Sequence, residues 1–166
     1  MANILNLEEM LEAIGPSWKE TWLIPPVILY YKYLNPKIAN QFWFHILPKE
    51  EISKLEWNKK NFFDFLVYET LMNAVEHGNK NKGTVTLRIH SGEKGLLVEV
   101  EDKGKGIPER IIDIFKKDAY NREFLYNGGE EGLGFHHIRD YLDKRILDGI
   151  GFNEKRNAIY LMALYK

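Results

Sequence analysis

The sequence predicts an α+β fold, a two-layer sandwich of helices on a mixed, mostly antiparallel sheet, and three observations predict it. The stretch 58–77 carries apolar residues at helical spacing. Two runs rich in apolar and β-branched residues, 84–90 and 96–102, flank the turn-like Ser91-Gly92. A second helical pattern over 133–147 is followed by a further strand pattern over 158–164. Helices packed on one face of such a sheet enclose a single core.

Taken in order, Asn6 with Glu9 has the form of a capping box and opens a short helix through Ile14, which Gly15-Pro16 ends. Residues 26–34 read as a second helix, stopped by Asn35-Pro36. Together these make residues 1–41 a helical extension packed on or beside a core domain spanning 42–166. Its tryptophans, tyrosines and paired prolines either cover the open sheet face or form a dimer or partner surface. Residues 42–47 read as a strand. The helix over 58–77 has a wide apolar face that includes Phe62, Phe63, Phe65, Leu66, Val67, Leu71 and Val75. Pro108 begins a helix through Phe115, the stretch 116–131 forms a lid, and a helix opens at Leu133.

Composition limits the function. The chain has 166 residues, 45% of them hydrophobic, which is enough for one sizeable core. A net charge of −1 and the absence of long Lys/Arg runs argue against nucleic acid as a partner. With no cysteine there is neither a disulfide framework nor a thiolate metal site, which suits a cytoplasmic location. The apolar stretch 22–31 is too short to span a bilayer and is broken by Pro25 and Pro26, so no membrane attachment is expected. His136 and His137 are adjacent and splay apart on a helix, which argues against a histidine metal site.

Three segments carry chemistry. In the first, 69–78, Glu69, Asn73 and His77 fall at i, i+4 and i+8 and form one stripe against the apolar face. Asn is unfavourable in a helix interior, and a hard cation such as Mg²⁺ that takes oxygen ligands would compensate it. Asn73 suits the metal and Glu69 a nearby water or hydroxyl; the alternative is an ordinary solvated stripe. In the second, Asp102-Lys-Gly104-Lys-Gly106-Ile107-Pro108, a carboxylate at a strand end can accept from an exocyclic amine such as that of adenine. Its glycines admit close approach, although the segment also reads as a Gly-rich connection. In the third, Gly132-Leu133-Gly134, the free amides of a helix start attract phosphate. Neither a Walker-type loop nor a dinucleotide fingerprint is present.

In order and spacing these segments resemble the GHKL superfamily of ATPases. Glu69 to Gly78 is similar to its N box, Asp102 to Ile107 to its first glycine box and Gly132 to Gly134 to its second. The likeness is strongest to the small anti-sigma-factor serine/threonine kinases of bacteria. It implies ATP and Mg²⁺ as cofactors, Glu69 as general base, Asn73 as the Mg²⁺ ligand and Asp102 as the adenine reader. It places His77 and Ile107 in the nucleotide pocket, with Gly104, Gly106, Gly132, Leu133 and Gly134 as pocket and lid positions. It further implies phosphorylation of a serine on a small antagonist protein, with a sigma factor or other regulator as a second partner, and a homodimer.

The sequence departs from those kinases at Glu130 and Glu131, where they carry a basic residue before the last Gly-x-Gly. Phosphoryl transfer relies on neutralising charge on the transferred group, so Lys116, Lys117, Arg122 or Arg139 would have to substitute. The alternatives are a nucleotide-controlled binding module whose lid is ordered by ATP, and the ATP-binding half of a split histidine kinase.

Overall fold

The computed structural model describes residues 4–26, 47–116 and 133–166. The expected helix over 26–34, the expected strand over 42–47 and the lid over 116–131 lie almost wholly outside those residues. Five strands form one sheet in the order β1-β2-β3-β5-β4, namely β1 Ser17–Ile24, β2 Val85–Gly92, β3 Gly95–Glu101, β4 Gly149–Phe152 and β5 Ala158–Leu164. All four ladders are antiparallel, and a parallel bridge joins Ile4 to Ile150. The helices are α1 Leu7–Ile14, α2 Lys49–Ser53, α3 Trp57–Asn73, α4 Glu109–Lys116 and α5 Leu133–Asp143.

Strand alternation sorts the side chains between two apolar clusters. Along β3, Leu96, Val98 and Val100 face the helical layer and join Leu87, Ile89 and Leu161 beneath Phe63, Leu66, Val67 and Leu71 of α3. Phe115 of α4 closes this core against Phe135 and Phe152, with ring centroids 6.4 and 5.7 Å away. On the other face, Met10 and Ile14 of α1 pack on Leu97, Tyr160 and Met162. Beside α1 that face carries a polar cluster: Arg88 donates to Glu101 at 2.7 Å and lies 3.5 Å from Glu99, and His90 bonds Glu99.

The capping box of α1 forms in both directions, with the Glu9 N–H donating to Asn6 Oδ1 at 2.9 Å and the Asn6 N–H to Glu9 Oε2 at 2.8 Å. Gly15 ends the helix at φ +76°, a conformation open to glycine at little cost. Strand β1 lies where the sequence predicts only helices, before residue 42. All its residues except Ile24 are exposed, so it lacks the one-sided alternation that marks a half-buried strand. Its pairing with β2, Ser17 to Gly92 through Ile24 to Val85, makes it a strand.

Helix α3 departs from expectation at its end. After Asn73 the backbone widens into a π turn over Ala74–Gly78, closed by the Asn79 N–H donating to Ala74 O at 2.8 Å. Single π turns recur at functional sites, and this one ends in the first of the three segments. The start of α3 is anchored by Lys59, whose ammonium donates to Asp148 at 2.7 Å, while Asp148 also accepts the Leu164 N–H of β5 at 2.7 Å. Phe62 and Phe65, expected on the buried face, are exposed, and Phe62 instead meets Tyr141 with the rings tilted and their centroids 5.0 Å apart.

Candidate nucleotide site

A cleft of about 820 Å³ opens between the end of α3, the loop after β3 and the start of α4. Its lining brings together Glu69, Asn73, His77, Asp102, Gly104, Gly106 and Ile107, residues of two sequence segments that no local structure would join. Gly132 lies outside the described residues. Leu133 and Gly134 form the first positions of α5, as a helix opening there requires.

The centre of the site is Asp102, one residue past β3. Its N–H continues the ladder by donating to Asn157 O at 2.9 Å, and Asn157 Nδ2 donates back to Asp102 O at 2.7 Å. One carboxylate oxygen, Oδ1, accepts the Gly104 N–H at 2.6 Å. The other, Oδ2, lies over Gly78, where a Cβ would come within 2.2 Å of it. Gly104 is equally confined, since a Cβ there would meet Gly78 O at 2.5 Å. Gly106 has φ +88°, and a Cβ on it would strike Lys155 O at 2.2 Å. Burial raises the Asp102 pKa; the Gly104 hydrogen bond opposes the rise and the Glu101 charge adds to it.

Asn79, which the sequence reading did not single out, joins the two segments. Its side chain donates to Thr84 O at 2.9 Å and accepts the Lys103 N–H at 2.6 Å, so one amide ties the loop after α3 to the loop after β3. Asn157 was missed as well. Both are short amides at loop positions, and only their long-range partners distinguish them. Among the described residues the Asn73 amide has no hydrogen-bond partner and faces the same cleft.

The charge of the cleft differs from that of the whole chain. Lys80, Lys82, Lys103, Lys105 and Arg110 line it against two carboxylates, Glu69 and Asp102. Two cations named as substitutes for the missing basic residue are engaged elsewhere. Arg139 is only 1% exposed and donates to Phe115 O at 2.8 Å and to Asp143 at 3.1 Å, capping the end of α4. Lys116 pairs with Glu109 at 2.6 Å. Lys117 and Arg122 lie outside the described residues.

A family model describing histidine kinase-, DNA gyrase B- and HSP90-like ATPases matches residues 58–155. The chain belongs to this ATPase family. Comparison with curated proteins gives no match. Membership carries ATP binding, and the layered α+β sheet is consistent with the family fold. The match covers α3 through the turn before β5 and leaves α1 and β1 outside it.

The residues present fit a nucleotide. The Gly78–Asp102–Gly104 arrangement leaves an acceptor oxygen free of any described donor in a recess that a single methyl group would fill. Among the described residues no group of three or more histidines and carboxylates converges as a metal site. The Asn73 side chain is an oxygen donor on the cleft wall of the kind Mg²⁺ takes beside phosphate oxygens. No described helix is long and apolar enough to cross a membrane.

Proposed function

We propose that this ATPase-family chain binds Mg·ATP in the cleft and transfers the terminal phosphate to a serine of a small partner protein. The observation that carries the reading is the convergence of Glu69, Asn73 and Asp102 on one cleft. Asp102 Oδ2, beside Gly78, would accept a hydrogen bond from the exocyclic amine of adenine, and His77 and Ile107 would line the nucleotide pocket. The Asn73 oxygen holds Mg²⁺, which supplies charge neutralisation on the phosphates. Glu69 lies one helical turn from Asn73 on the same stripe, where its carboxylate orients the serine hydroxyl and accepts its proton as the new oxygen–phosphorus bond forms and ADP leaves. Leu133 and Gly134 provide amides at the start of α5 for the phosphate chain, and Gly132 belongs to the same segment by sequence. The physiological partners in this reading are a small antagonist protein and a sigma factor or similar regulator, met in the cytoplasm by a homodimer.

A second reading is an ATP-controlled binding module with little or no transfer. The burial of Arg139 and its engagement with Phe115 O and Asp143 favour it, because that cation is withheld from a transferred phosphate. Calorimetric titration of ATP with and without Mg²⁺ on wild type and Asn73→Ala tests the binding. The proposal expects a Mg²⁺ increment that disappears in Asn73→Ala. Incubation of the wild type and Glu69→Gln with labelled ATP and the co-purified partner tests the transfer. Labelled phosphoserine that needs Glu69 supports the kinase, and tight ATP binding without label supports the module.

A further inference from the structure

We propose that two amides in the turn between β4 and β5, Asn153 and Asn157, form a positioning relay that aims the Asp102 carboxylate and so sets the preference of the cleft for a base carrying an exocyclic amine. The relay deepens the nucleotide reading above and rests on it. Asp102 would touch the base; Asn157 acts through Asp102, and Asn153 through Asn157. Asn157 also lines the cleft, but both polar atoms of its amide have protein partners. Its Oδ1 accepts from Asn153 Nδ2 at 2.8 Å, and its Nδ2 donates to Asp102 O at 2.7 Å.

Residues 102–108 lie between β3 and α4 and belong to no helix or strand, so their backbone groups need partners from elsewhere in the fold. The β4–β5 turn supplies three. The Asp102 N–H donates to Asn157 O at 2.9 Å, the Ile107 N–H donates to Arg156 O at 2.8 Å, and Asp102 O accepts from Asn157 Nδ2. The first two use only the main chain of the turn and do not depend on its side chains. The third belongs to the Asn157 amide. Held at both its N–H and its C=O, Asp102 has the direction of its Cα–Cβ bond fixed, and with it the line from the carboxylate to Gly78.

The direction of both amides is fixed from the two ends of the relay. A backbone N–H can only donate and a carbonyl can only accept. The Ala158 N–H donates to Asn153 Oδ1 at 3.1 Å, which leaves Asn153 Nδ2 to donate to Asn157 Oδ1 and Asn157 Nδ2 to donate to Asp102 O. Turning either amide over would set donor against donor or acceptor against acceptor. The chemistry at 157 therefore calls for one donor and one acceptor on a short side chain; an ionised aspartate has the shape but no donor. Hydrogen bonds weaken steeply as they leave alignment, so the value of the Asp102 carboxylate to an amine depends on how firmly it is aimed. A base without that amine gains nothing from the aim, which makes discrimination between two such bases the signature of the relay.

The test is calorimetric titration of the full chain with ATP and with purine riboside triphosphate, which lacks the 6-amino group. It compares wild type, Asn157→Ala, Asn157→Asp and Asn153→Ala, each with and without Asp102→Asn, and thermal melts confirm that every variant is folded. Wild type should prefer ATP by at least about tenfold. Either Asn157 variant should lower that preference by about three- to tenfold, and Asn153→Ala by less. In the Asp102→Asn background none of them should change it further. A merely structural role would weaken both nucleotides alike, and an unchanged ratio in every variant would sink the relay alone. An effect of Asn157→Ala that persists in full without the Asp102 carboxylate would mean that Asn157 meets the base itself, and would also overturn it. Equal affinity of the wild type for the two nucleotides would remove Asp102 as the reader of the amine and the relay with it. Binding of neither would sink the nucleotide reading as a whole.

Discussion

Asp102 occupies the space that a side chain on Gly78 would need: its Oδ2 lies 2.2 Å from where that Cβ would stand. The end of α3 and the end of β3 are thus fitted to each other around one carboxylate. Gly78→Ala must move either the carboxylate or the π turn that carries residue 78. Overpacking of this kind costs about 1–3 kcal/mol. We expect ATP affinity to fall at least as far as in Asp102→Asn, with a lower melting temperature, measured by calorimetry and thermal denaturation. An alanine variant with unchanged affinity would remove the carboxylate from the base pocket.

Asp102→Asn is expected to separate function from stability. Because burial raises the folded-state pKa above 3.8, the folded protein binds this proton more tightly than the unfolded chain does. Stability from this group is therefore present below pH 3.8 and is lost as pH rises through the raised folded value, so at neutral pH the ionised carboxylate is a cost. Removing the charge should leave the unliganded melting temperature at neutral pH unchanged or higher. ATP affinity should fall by about 1.5–3 kcal/mol, the value of a hydrogen bond to a charged group. Denaturation curves at several pH values, set beside ATP titrations, would show whether the two effects part in this way.

Thr70 lines the cleft, yet its hydroxyl is buried without a described hydrogen-bond partner. Valine has nearly the same shape and no polar atom to leave unsatisfied. Thr70→Val should raise the stability of the unliganded protein by about 1 kcal/mol, read from urea denaturation. A loss of stability would mean that the hydroxyl has a partner, such as an ordered water.

Arg139 should behave as a structural residue. Arg139→Met keeps much of the buried stem but abandons Phe115 O and Asp143. We expect a loss of about 1–3 kcal/mol in denaturant unfolding, with ATP affinity reduced far less. The reverse pattern, preserved stability with affinity lost, would return Arg139 to the phosphate site.

Much of the site could be read in the chain because its chemistry is local to short segments. The stripe of Glu69, Asn73 and His77 depends only on helical periodicity. The place of Asp102 at a strand end depends on the composition of 95–106, and the capping box of α1 on Asn6 and Glu9 alone. These rest on interactions between residues a few positions apart, which sequence spacing encodes directly. They were enough to predict the α+β class and the position of most described elements, and Glu69, Asn73, His77, Asp102, Gly104, Gly106 and Ile107 line one cleft.

The tertiary structure decided what depends on partners distant in sequence. Strand β1 exists through its ladder with β2, and exposure on both faces removes the alternation that would announce it. The π turn at Ala74–Gly78, the Asn79 clasp, the Asn157 bond to Asp102 and the burial of Arg139 all turn on which backbone groups arrive nearby after folding. Two pairs of lysines far apart in the sequence, Lys80 with Lys82 and Lys103 with Lys105, line one cleft on loops that Asn79 joins. Periodicity carries information about a residue's own element, whereas hydrogen-bond partners and local charge density are properties of the assembled chain.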